Sequence, residues 1–109
     1  MILQLENSVS RIQFLNPFYV IVHAKEVYLT PDMDSSRFNR VLSEIDFVRN
    51  FEEYAELDQT TPPHIIPSGI PRDRPILVGG FLRDICVREQ RDCLRRTGYN
   101  AFICSEITY

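Results

Sequence analysis

The sequence predicts a small α/β fold, a two- or three-layer arrangement around one sheet, with a parallel βαβ unit near the carboxyl end and one long amphipathic helix. Three observations carry this. Apolar residues recur at three- and four-residue spacing through residues 37–57. Two short, continuous apolar runs, Phe18 to Val22 and Ile76 to Val78, have the make-up of strands buried on both faces. After Pro75, a strand, a glycine pair, a helical stretch and a second strand follow one another within about thirty residues, the length of one βαβ unit.

Taken in order, residues 1–15 alternate loosely around Glu6-Asn7-Ser8 and predict two short strands about a turn. Phe18 to Val22 predicts a buried strand, and Val27-Tyr28-Leu29-Thr30 a short strand after it. The polar interval from Pro31 to Ser36 supplies an N-cap and acidic residues for the positive end of a helix dipole. The helix itself is predicted over residues 37–57, with Phe38, Val41, Leu42, Ile45 and Val48 facing the sheet and Phe47, Phe51 and Tyr54 widening the apolar face. Residues 59–75 hold Pro62, Pro63, Pro67, Pro71 and Pro75 together with Gly69, which predicts a stiff extended loop with few ladder donors. Then come a strand at Ile76 to Val78, a tight turn at Gly79-Gly80, a helix over residues 84–97 closed by Gly98, and a strand in Ala101-Phe102-Ile103-Cys104.

Length and composition bound the rest. A chain of 109 residues holds one core, so residues 1–109 are read as a single domain with one site. With 44% hydrophobic and 25% charged residues it belongs with globular chains and not with disordered tails. A net charge of -3 repels phosphate backbones, so no nucleic-acid partner is expected. The longest apolar runs fall far short of the ~20 residues that span a bilayer, and no charged leader opens the chain, so a cytoplasmic protein without a membrane partner is expected. Cys86, Cys93 and Cys104 are odd in number and lack the spacing of a zinc site; neither a disulfide framework, a metal nor a cofactor is expected. The second aromatic face of the long helix exceeds what one sheet face covers, which predicts a homodimer.

Chemistry is expected at the turn after the Ile76 strand, because parallel sheets bind ligands outside the carboxyl ends of their strands. There Gly79 and Gly80 permit close approach of a ligand, and Cys86 falls in the first helical turn, where the dipole favours a thiolate. Cys86 is then either a nucleophile or a small buried hydrophobe. Cys93 and Cys104 read as core residues. His23 ends a strand, while His64 rides on the proline-rich loop and is placed to fold over the site. Arg88, Arg91, Arg95 and Arg96 alternate with Glu89 and Asp92 and read as a solvated helix face.

Residues 76–109, from Ile76-Leu77-Val78-Gly79-Gly80 to the end, resemble the nucleophile region of the isochorismatase-like cysteine hydrolases, with Gly80, Asp84, Cys86, Val87, Asp92, Gly98 and Tyr99 in the family's places. The resemblance implies a hydrolase acting on an amide-type bond of a small molecule, with Cys86 as nucleophile and Gly79, Gly80 and Asp84 around the ligand. It also implies a lysine, for which Lys25 is the sole lysine in the chain, and a carboxylate base, for which Asp32 or Glu26 stands. Leu5-Glu6-Asn7 occupies the place of the family's Asp motif. The turn from Leu77 to Asp84 is similar to the GGxxRD turn of tRNA-nucleotidyltransferase-type polymerases, without the Asp-x-Asp pair that family places after it. The alternative to a hydrolase is a non-catalytic binding or regulatory protein that engages a protein partner.

Overall fold

The computed structural model describes residues 8–109. Four strands form one parallel sheet: β1 (Phe18–Val22), β2 (Tyr54–Leu57), β3 (Ile76–Gly80) and β4 (Ala101–Thr108), in the spatial order β2-β1-β3-β4. β1 runs beside β2 with Tyr19 opposite Tyr54, and beside β3 with Phe18 opposite Ile76. β3 pairs with β4 from Ile76 opposite Ala101, and the register shifts between Val78 and Gly80. The predicted parallel βαβ unit is therefore present.

Every central strand is covered on both faces, which explains its unbroken apolar run. Tyr19, Ile21 and Leu77 join Phe38, Val41, Ile45 and Val48 in one buried cluster. Val20, Val22, Ile76 and Val78 join Val87, Leu94 and Ile103 in the other. Right-handed crossovers demand this division, because the path from β1 to β2 runs opposite in direction to the paths from β2 to β3 and from β3 to β4. Helix α1 (Ser35–Phe51) thus lies on one face, and helix α2 (Arg88–Arg96) with the 58–75 connection lies on the other, giving three layers.

Helix α1 starts where the polar interval predicts, with the Asp34 carboxylate accepting from the Arg37 amide at 3.1 Å. It ends six residues earlier than expected. Glu52 turns extended, and Tyr54–Leu57 leaves to form β2 on the free edge of the sheet. Val27 to Thr30 is not a strand; Val27 packs on the α1 cluster while Tyr28 is 78% exposed. Of the two strands expected in residues 1–15, the first lies outside the described residues. The second is replaced by a 3-10 turn at Arg11–Gln13, held by the Ser10 amide donating to Gln13 Oε1 at 2.8 Å and the Arg11 amide donating to Glu106 at 3.0 Å. Just before it, Val9 forms a parallel bridge with Cys104 on β4.

Gly79 and Gly80 are not a turn. Both lie buried inside β3. A Cβ on Gly79 would collide with Ile107, and one on Gly80, whose φ is +122°, with the carbonyl oxygen of Val22. The glycines let β1 and the shifted part of β4 close onto β3. Gly98 does act as the expected helix cap: with φ at +98° it donates to Arg95, and the Tyr99 amide reaches back to Leu94 at 3.0 Å.

The 58–75 connection has no helix or strand, as its prolines dictate. It lies on α2. Buried Gln90 donates through Nε2 to the carbonyls of Pro63 (2.7 Å) and Ile65 (3.0 Å), and Ile66 and Ile70 pack on the α2-side core. No helix among the described residues is long and apolar enough to cross a membrane.

Candidate functional site

Two clefts meet at the carboxyl end of β3, where the chain leaves the sheet through Phe81 and Leu82 into a π-helical turn, Arg83–Val87. That turn is the first departure from the expected helix, since regular α-helical geometry begins only at Arg88. Single π-helical turns inside helices recur at functional sites.

The larger cleft, of about 430 Å³, is lined by Ser8, Arg83, Asp84, Arg88, Arg91 and Asp92, with Ile103 as its apolar residue. Arg88 pairs with Asp84 at 3.1 Å, four residues apart on the exposed side. Arg91 pairs with Asp92 at 2.7 Å. Arg83 reaches the Ser8 hydroxyl, and its buried Nε has no hydrogen-bond acceptor. The second cleft, of about 330 Å³, shares Arg83 and Asp84 and adds Arg37, Leu82, Ile85 and Tyr109. Its wall is fixed by stacking: Tyr109 lies against Phe81 (centroids 5.7 Å apart), and the Arg37 guanidinium lies 4.3 Å from the Tyr109 ring centre.

Cys86 sits in the π turn, half-buried against the α2-side core. Burial and then the nearby Glu89 carboxylate push its thiol above the usual cysteine range, against a backbone hydrogen bond from Leu82. Cys86 does lie in the first turn of the helical stretch, as expected, but burial against the α2-side core and the neighbouring Glu89 outweigh any activation of the thiol there. Cys104, packed against α1, is pushed up to about 12 by burial and by its contact with Glu106.

The other expected catalytic groups stand apart from Cys86. Lys25 shares a shallow hollow of about 190 Å³ with Glu26, Asp58, Gln59 and Thr60, beyond β1 and β2. Asp32 is exposed near the start of α1, where the Thr30 hydroxyl donates to it at 2.6 Å and holds its carboxyl below the usual range. Among the described residues, no hydrogen bond or ion pair joins Cys86, Lys25 and Asp32 to one another. His23 is turned away by its left-handed backbone (φ +55°) and its ring bonds to the Thr61 carbonyl at 2.7 Å. His64 lies on α2, 3.8 Å from Glu89, with its carbonyl accepting from the Cys93 thiol at 3.1 Å.

Of the expected ligand-binding set, Asp84 lines both clefts, whereas the space beside Gly79 and Gly80 is taken by Ile107 and Val22. The arginines are the residues that sequence reasoning missed. Arg91 is 5% exposed and so is not part of a solvated face. Arg95 also folds inward, donating to the Ala101 carbonyl at 2.7 Å. The signal lies in Arg83, three residues after the glycine strand ends, and in the eight-residue spacing from Arg83 to Arg91. A scan of family models and searches of characterised proteins and solved structures return no match for this chain, so the likeness of residues 76–109 to the cysteine hydrolases rests on their spacing alone.

Proposed function

We propose that this protein is a non-catalytic binding module and not a hydrolase. The observation that carries this is the state of Cys86. A cysteine nucleophile works as its thiolate and needs a base or a positive field to make one. Here burial and Glu89 favour the neutral thiol, Lys25 lines a separate hollow, Asp32 is held by Thr30, and His64 faces Glu89. The clefts at the carboxyl end of β3 are instead lined by guanidinium, hydroxyl and apolar side chains and by the carboxylates Asp84 and Asp92, which pair with Arg88 and Arg91, a lining suited to holding a polar ligand.

Site-resolved iodoacetamide labelling tests the proposal. Cys86 is expected to react no faster than free cysteine near neutral pH, with its rate still rising through pH 9.0, the ordinary value for the thiol, instead of levelling off there. Labelling that outruns free cysteine and levels off below neutral pH refutes it.

The same module is proposed to assemble as a homodimer. Phe51 is 72% exposed and packs on Phe47 with centroids 5.0 Å apart, next to the open edge of β2. An aromatic patch beside an unpaired strand edge is a surface that a second copy covers.

A further inference from the structure

We infer that the larger cleft, between Ser8 and the Arg83–Arg91 segment, binds the phosphate group of a small, polar phosphate ester. The charge around it comes first. Among the described residues, Arg83, Arg88 and Arg91 line the cleft together with Asp84 and Asp92, so guanidiniums gather at one place in a protein whose overall charge is -3. Arg88 and Arg91 each have a carboxylate, in Asp84 and Asp92. Arg83 has the Ser8 hydroxyl and, among the described residues, no acid paired with it. Arg83 is thus the guanidinium in this wall whose charge no ion pair among the described residues offsets, and an anion at its side supplies the counter-charge.

The second observation is the unsatisfied donor. Arg83 Nε is buried and lacks an acceptor. Buried polar groups in native proteins have partners, and one without calls for an explanation. An anionic oxygen brought by a ligand supplies the acceptor and the counter-charge together, and a charge-assisted bond of this kind is among the stronger ones.

Chemistry then selects among anions. A carboxylate offers one charge and two oxygens, whereas a phosphate monoester near neutral pH carries about -1.5 to -2 and three acceptor oxygens. The cleft sets donors from Arg83, Arg88 and Ser8 around one space, which suits the tetrahedral group. Its volume of about 430 Å³ sits in the small-molecule range of ~300–1,000 Å³. Among the described residues, Ile103 is the apolar one in a wall that is otherwise charged or hydroxylated, so the body of the ester is polar, as in a sugar phosphate.

This inference deepens the binding-module reading, and the two fail separately, because fast Cys86 alkylation would overturn that reading without touching anion affinity in the cleft. The test is an amide-resolved NMR titration of the whole chain with inorganic phosphate and with glucose 6-phosphate, alongside glucose, citrate and a short phosphoserine peptide. Saturable shifts are expected within residues 83–92 for phosphate and, more tightly, for the sugar phosphate, and none for glucose. Arg83→Gln is expected to weaken sugar-phosphate binding about tenfold or more, the loss of one charge-assisted contact. Exposed Arg88→Gln is expected to weaken it less. Should Arg83→Gln fail to fold, Arg83→Lys decides, since it keeps the charge and removes the Nε donor. Absent shifts at 83–92, equal binding of citrate, tighter binding of the phosphopeptide, or affinity unchanged in the Arg83 variants would each overturn the assignment.

Discussion

Replacing Cys104 with alanine is expected to flatten the alkaline side of the stability profile. The thiol is buried between β4 and α1 and donates to Glu106 Oε1 at 3.3 Å, which raises its pKa from 9.0 to about 12. A raised value means that the folded state keeps the proton longer than the unfolded chain. The stability tied to it is fully present below pH 9 and drains away as pH climbs toward 12. At about pH 10 the unfolded thiol is mostly ionised while the buried one is not, and the linkage relation puts the loss at about 1.4 kcal/mol. Tyr19, pushed up to about 12 mainly by burial and in smaller part by Glu52 and Cys104 itself, stays largely protonated in both folded proteins at about pH 10, so its own contribution nearly cancels in the comparison. Urea unfolding at pH 7 and about pH 10, followed by circular dichroism in the presence of reductant, reads the effect. The wild type should lose about 1.4 kcal/mol more than Cys104→Ala between the two conditions, whatever the alanine costs at neutral pH. Equal losses would refute the reasoning.

Gly80→Ala places a methyl group against the Val22 carbonyl at a positive φ, and a destabilisation of about 3 kcal/mol or more is expected by thermal unfolding; a change under about 1 kcal/mol would show that β1 and β3 do not close as described. Phe51→Asp is expected to convert a dimer into a 12.8 kDa monomer by light scattering, with the fold kept because the side chain is solvent-facing; a wild-type monomer at micromolar concentration counts against assembly through this patch.

What the sequence made legible was whatever one segment decides by itself. The doubly buried run Phe18–Val22, the Asp34 cap, the proline-stiffened connection and the Gly98 terminator are all local consequences of composition and spacing. β2 was hidden because Tyr54, Ala55 and Leu57 also continue the helical spacing of α1, and only pairing with β1 makes them a strand. Gly79 and Gly80 carry the local mark of a turn, yet their cause is tertiary, namely the approach of Ile107 and Val22. The surroundings of the candidate site are hard to read from sequence for a related reason. A π turn cannot be told from an α turn by spacing, and spacing does not show that the Cys86 thiol packs against the α2-side core beside Glu89. Arg91 and Arg95 alternate with acids along the helix and look solvated, while the sheet draws them inward.

The path between β2 and β3 has a consequence for how the molecule comes apart. Residues 63–72 make no helix of their own and borrow their anchors from chain that follows: Gln90 holds Pro63 and Ile65, Cys93 holds His64, the Tyr99 hydroxyl holds Ile70, and Arg72 holds the Thr97 carbonyl. A nascent chain emerging from a ribosome therefore has nothing to fasten this stretch until α2 has been made. Once folded, the stretch and α2 form one cooperative unit, because the amide of Gln90 cannot be exposed without releasing the carbonyls it holds. Opening of either one exposes the α2-side core to water, whereas the face covered by α1 stays closed.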